Sequence, residues 1–93
     1  MNKKMINIDE VWSRIEAHAG EKFYQIKGGE FSYTVEGGHV YLSRTPQRIP
    51  KSYFEKALAF VPLENTVPLQ NKLRGPSFIF AILMDKRIRQ SDW

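Results

Sequence analysis

The stretch IKGGEFSYTVEGGHVYLSR, residues 26–44, sets two Gly-Gly pairs within a run of alternating apolar and polar side chains. A two-residue hairpin turn needs positive φ at both central positions, which glycine adopts without steric cost. Placed at Gly28-Gly29, such a turn pairs Lys27 with Glu30, Ile26 with Phe31 and Tyr24 with Tyr33. Placed at Gly37-Gly38, it pairs Glu36 with His39, Val35 with Val40 and Tyr33 with Leu42. The two registers assign the same apolar face: Tyr24, Ile26, Phe31, Tyr33, Val35, Val40 and Leu42. The opposite face is polar except for Phe23 and Tyr41, which both flank Thr34. A one-residue slip would exchange the faces, so this agreement predicts a three-stranded antiparallel meander. Such a sheet needs a cover for its apolar side, and the segments around it supply one.

Before the meander, Asn7-Ile8-Asp9-Glu10 has the pattern of a helix start, with Asn7 as cap and Glu10 three residues on. Ile8, Val11, Trp12, Ile15 and Ala19 recur at helical spacing, and Gly20 stands where a left-handed terminal residue is wanted. After the meander, SRTPQRIP reads as a loop. A second helix is expected around Phe54, Ala57, Leu58 and Val61, and Pro62 ends it. Pro68 to Leu73 suggests a short helix. PSFIFAILMDKR is apolar nearly all round, a pattern shared by buried helices and buried strands; Pro76 at its start favours helix. The expected fold class is α+β. It has an N-terminal helix, a three-stranded antiparallel meander and two or three C-terminal helices packed on one sheet face, in a single compact domain over residues 1–93.

Composition narrows the functional classes. The chain has no cysteine, which removes disulfides and thiolate metal sites and suits a cytoplasmic setting. No secretory signal or membrane-spanning apolar run is visible, so no membrane partner is expected. Up to residue 36, five Lys and Arg stand against six Asp and Glu; from residue 37 onward, nine stand against four. A basic second half points toward an anionic partner.

Chemistry-bearing constellations are sparse. The two histidines, His18 and His39, fall on different elements, and no nucleophile signature accompanies either. No spacing of His, Asp or Glu closes a metal site, so neither catalytic residues nor a metal or other cofactor is expected. Leu73-Arg74-Gly75-Pro76-Ser77 reads either as a turn between helices with solvated charges or as an anion seat at a helix start. Arg44, Arg48 and Lys51 fall within eight positions without an intervening acid. Arginine suits phosphate because its planar fork donates two parallel hydrogen bonds. Arg44, Arg48 and Lys51, joined by Arg74 or by the Lys86-Arg87-Arg89 tail, are therefore candidate nucleic-acid contacts. The bland alternative is a solvated loop and tail. Phe23 and Tyr41 are candidate partner-binding aromatics, suited to stacking bases or anchoring a protein, unless the protein's own helices cover them. The sequence thus supports a small non-catalytic nucleic-acid-binding or regulatory protein, with a protein-interaction module or small inhibitor as the alternative. A homodimer is compatible with both, because a short sheet leaves edges to pair.

Overall fold

Asn7 opens helix α1 (Ile8–Ala17), its side-chain oxygen accepting from the Asp9 amide at 2.7 Å. The computed structural model describes residues 7–70 and 73–93. After α1 come strands β1 (Phe23–Tyr24), β2 (Glu30–Phe31), β3 (Tyr33–Glu36), β4 (His39–Leu42) and β5 (Arg48–Pro50). Helices α2 (Lys51–Ala57), α3 (Val67–Gln70), α4 (Pro76–Leu83) and α5 (Lys86–Arg89) follow, with a 3₁₀ turn at Leu58–Phe60. The architecture is mixed α+β, a three-stranded antiparallel sheet β3-β4-β5 with a two-stranded sheet β1-β2 beside it and helices at both ends of the chain. None of the described helices is long and apolar enough to cross a membrane.

The second hairpin has the predicted register, Tyr33 with Leu42 through Glu36 with His39. Gly37 (φ 56°) and Gly38 (φ 76°) both take the left-handed backbone that this two-residue turn demands. The first hairpin does not. Here Gln25 accepts from the Gly28 amide and donates to the Gly29 carbonyl, so Ile26 and Lys27 form the turn and Gly28 alone takes positive φ, 87°. That is a three-residue loop closed by a left-handed glycine. Phe23 consequently pairs with Phe31 where the two-residue turn would place Ile26. The displacement is three residues, an odd number, so the two faces of β1 are exchanged. Phe23 is fully buried, while Tyr24 and Ile26 are each 57% exposed.

The third strand of the main sheet comes from the segment read as a loop. Arg48, Ile49 and Pro50 pair with Tyr41, Val40 and His39. Two prolines disguise this strand in the sequence. The sheet tolerates Pro50 because β5 is an edge strand and ends there. Downstream, Pro76 is the first residue of α4, and the ambiguous apolar run is helical.

One apolar core joins all the layers. Val11, Trp12 and Ile15 of α1 meet Phe31, Tyr33, Val40, Leu42 and Ile49 of the sheets, with Phe54, Leu69, Ile79, Ile82 and Ile88 closing the far side. The Tyr33 hydroxyl, buried at the α1–β3 junction, donates to the Ile15 carbonyl at 2.7 Å, and burial pushes its pKa up. The C-terminal segment is bound by arginines. Arg14 donates to the Ile88 carbonyl (2.9 Å) and pairs with Asp92 (2.6 Å). Arg89 donates to the main-chain oxygen of Trp93, whose indole donates to the Leu83 carbonyl at 2.8 Å. Arg87 does most. It binds Asp85 through Nε (2.8 Å) and Nη2 (2.9 Å), Glu21 at 2.9 Å and the Lys22 carbonyl at 2.8 Å, and it lies 3.9 Å over the Phe23 ring.

Two outcomes test this arrangement. Phe23→Ala should lower unfolding stability by about 3–5 kcal/mol in urea denaturation, the usual cost of emptying a buried aromatic site. Tyr24→Ala should change it by less than about 0.5 kcal/mol, as expected of an exposed side chain. The reverse ranking would restore the two-residue turn at Gly28-Gly29. The second outcome concerns pH. Partial burial alone would raise Asp85, but hydrogen bonds from Arg87 outweigh it and hold the carboxyl below its usual 3.8. Hydrogen bonds from His18 and Arg87 hold Glu21 below its usual 4.5. A carboxylate whose folded pKa is depressed stabilises the fold above its unfolded value and loses that contribution as pH falls through the folded one. Thermal stability should therefore hold at neutral pH and decline as pH drops below about 4.5. Asp85→Asn keeps the acceptor that caps α5 and removes the charge. It should cost about 1–2 kcal/mol at neutral pH, allowing for the solvent that reaches the pair, and make the acid decline shallower. An unchanged acid limb in this variant would remove the Asp85–Arg87 pair as its source.

Candidate nucleic-acid interface

The β4–β5 connection carries the first two arginines singled out in the sequence. Arg44 leaves the end of β4, is exposed, and extends Nη1 toward Gln25 Oε1 at 3.4 Å. Gln25 in turn donates from Nε2 to Ser77 Oγ at 2.9 Å, on the first turn of α4. Gly29 makes this approach possible: a Cβ there would stand 2.5 Å from Arg44 Nη1 and 2.6 Å from Gln25 Oε1. Arg44 is thereby set beside the β1–β2 loop and the start of α4. A cleft of about 380 Å³, lined by Gln25, Ile26, Lys27, Thr66, Gln70 and Ser77, opens on the same side.

Arg48 stands on β5 and is exposed on the outer face of the main sheet. The pairing places Thr34, Tyr41 and Arg48 in one row across the three strands. Tyr41, on the central strand, is 38% exposed, with the His39 ring 6.3 Å away along the same face. Arg74 arrives from the other side. It is exposed and precedes Gly75, whose positive φ of 64° turns the chain into α4. The corner is tight: a Cβ on Gly75 would lie 3.1 Å from Ile49 Cδ1 and 3.6 Å from Gln47 Oε1, the residues on either side of Arg48. Arg44 and Arg48 thus share the β4–β5 segment, Arg44 beside the start of α4 and Arg48 on the outer sheet face, while Arg74 precedes the entry to α4.

Two predicted positions leave the set. Lys51 bonds Asp9 of α1 at 2.7 Å and is drawn toward the first turn of that helix. Phe23, placed on the outer sheet face by the sequence pairing, is instead a core residue packed against Phe31, Tyr33 and Arg87. The odd displacement of the first hairpin is the cause, and the ring has no exposed surface with which to meet a partner. The C-terminal tail contributes little free charge, since Arg87 and Arg89 are engaged within the protein and Lys86 alone of the three is exposed. Lys72 lies outside the described residues.

The ion pairs sharpen the contrast. Among the described residues, the acids pair with Arg14, His18, Lys22, Lys51 and Arg87. Among the described residues, Arg44, Arg48 and Arg74 have no such ion-pair partner. The histidines are occupied apart from each other: His18 contacts Glu21 at 3.0 Å, and His39 Nδ1 donates to the Gly37 carbonyl at 3.0 Å. Among the described residues, no group of three or more His, Asp or Glu is placed to share a metal ion.

Sequence reasoning missed Gln25 and Ser77, the two polar residues that hold Arg44 to α4; their contact spans 52 positions and has no local signal. It also missed β5, for which the alternation Arg48-Ile49-Pro50 was the available clue. In comparisons with known proteins the chain matches no family model, no curated protein and no solved structure, so its functional reading rests on the chemistry of this surface.

Proposed function

We propose that this protein is a small, non-catalytic nucleic-acid-binding or regulatory module that contacts phosphate through Arg44, Arg48 and Arg74. The observation that carries the reading is three exposed arginines without acidic partners among the described residues, two on the β4–β5 segment and one before α4. Arginine is the residue whose fork matches phosphate geometry, and a solvent-facing guanidinium loses little by exchanging water for a phosphate oxygen. Tyr41 supports the same reading. Its ring stands on an open sheet face next to Arg48, the arrangement on which single-strand binders stack a base over an aromatic and pair its phosphate with a cation. Such a role suits the cytoplasm, which the cysteine-free composition permits.

Fluorescence anisotropy of labelled single- and double-stranded DNA and RNA, titrated at low and moderate salt, tests the proposal. Binding should weaken with salt at a logarithmic slope of about 2–3, since each neutralised phosphate contributes about 0.7 on single strands and 0.9 on duplex DNA. Arg44→Ala/Arg48→Ala should reduce that slope by about 2, whereas Lys51→Ala should leave it unchanged because Asp9 already holds that ammonium. Tyr41→Ala should weaken single-strand binding by about 1–3 kcal/mol and spare the salt slope. Flat titrations at low salt would sink the reading.

A further inference from the structure

The residues that the first hairpin turns outward form a surface of their own. Tyr24 and Ile26 wall one side of an open groove of about 560 Å³, and Phe80 and Met84 of α4 line the other. Phe80 and Met84 follow Ser77 at the spacing of a single helical stripe, so the apolar strip runs along the axis of α4. Ile26 also borders the cleft that Thr66 and Gln70 line beside α3. Tyr24 and Ile26, two of the most exposed large apolar side chains among the described residues, thus share one groove beside α4.

The charges around the groove select its occupant. Asp85 is committed to Arg87, and Glu30 has Lys22 at 4.0 Å. Lys86 lines the groove and Lys27 lines the adjoining cleft that shares Ile26 with it, and neither has an acidic partner among the described residues. An apolar strip is therefore accompanied by one unpaired ammonium on the groove and another just beyond Ile26. A second copy of this chain, docked face to face, would set these lysines against one another. We propose that the groove docks an acidic amphipathic segment of a partner protein, with apolar side chains at successive helical turns and Asp or Glu flanking them. The apolar side chains fill the space between Tyr24 and Met84, and the flanking carboxylates answer Lys27 and Lys86. This is the helix-in-groove mode of recognition. It is independent of phosphate binding at Arg44 and Arg48.

The test is a titration of the ¹⁵N-labelled full chain with a synthetic amphipathic peptide that has Leu at positions i, i+3, i+4 and i+7 and Glu elsewhere. The same peptide with Lys in place of Glu is the control. The acidic peptide should give saturable amide shifts centred on Tyr24, Ile26, Met84 and Lys86, and the basic one none. Tyr24→Ser/Ile26→Ser, both at exposed positions that leave the core intact, should weaken binding at least about 10-fold. Lys86→Glu should weaken it as well, while Arg44→Ala/Arg48→Ala should leave it unchanged. Absence of saturable shifts, equal response to both peptides, or indifference to Tyr24→Ser/Ile26→Ser would overturn the proposal. So would binding lost only with Arg44→Ala/Arg48→Ala, which would mean capture by those arginines. Sedimentation showing a dimer that the Tyr24→Ser/Ile26→Ser change dissociates would assign the groove to a second copy instead.

Discussion

The guanidinium of Arg87 over the ring of Phe23, at 3.9 Å, is the contact on which the arrangement of this fold depends. A guanidinium beneath partial cover needs its donors satisfied, and Asp85, Glu21 and the Lys22 carbonyl supply acceptors around its edge. The flat face is left for an aromatic ring, and Phe23 provides it, a pairing worth about 0.5–2 kcal/mol. With Phe23 drawn inward against Phe31 and Tyr33, β1 has no choice of face. Tyr24 and Ile26 must turn out, and the loop after them must absorb the odd displacement through the positive φ of Gly28. The same arginine joins the start of α5 to the chain just before β1, so the two halves of the core close on each other there.

This explains why one hairpin was legible in the sequence and its neighbour was not. Gly37-Gly38 lies between alternating residues that bury only one way, and turn and sheet agree. Gly28-Gly29 supports two loops of nearly equal local quality, one with both glycines in the turn and one with a single left-handed glycine behind Ile26-Lys27. The pattern from Phe23 to Ile26 is apolar on both faces, so local alternation does not discriminate between them. A residue far along the chain decides. The helices were easier, because caps and prolines act locally: Asn7 and Pro76 begin the helices they were expected to begin.

The candidate site was legible in residue type and less so in membership. A run of arginines and lysines without acids identifies a basic segment, and Arg44 and Arg48 are exposed as such a segment predicts, as is Arg74 further along the chain. Lys51 departs because Asp9, 42 positions away, reaches it. A local sequence window contains no trace of that pair. Tyr41 could be placed on the outer face because its hairpin was correctly registered, and Phe23 was misplaced because its own was not. Errors of register therefore became errors of site assignment in the one strand where they occurred.

The cations of this protein divide into two sets by what surrounds them. Arg14, Arg87 and Arg89 hold carbonyls and carboxylates that fix the C-terminal segment, and Arg14 and Arg87 are partly withdrawn from solvent. Removing their partners would leave partly covered charge without its acceptors, so these arginines act on stability. Arg44, Arg48 and Arg74 have neither acidic partners nor cover, and like charges placed near one another repel rather than stabilise. They contribute no ion pair to stability. Arg44 is kept in place by an orienting contact to Gln25, above a glycine that leaves room for both side chains. Structural economy would place acids among these arginines, as it does around Arg87. No carboxylate pairs with them, so exchanging water for an anion would cost these guanidinium groups no ion pair.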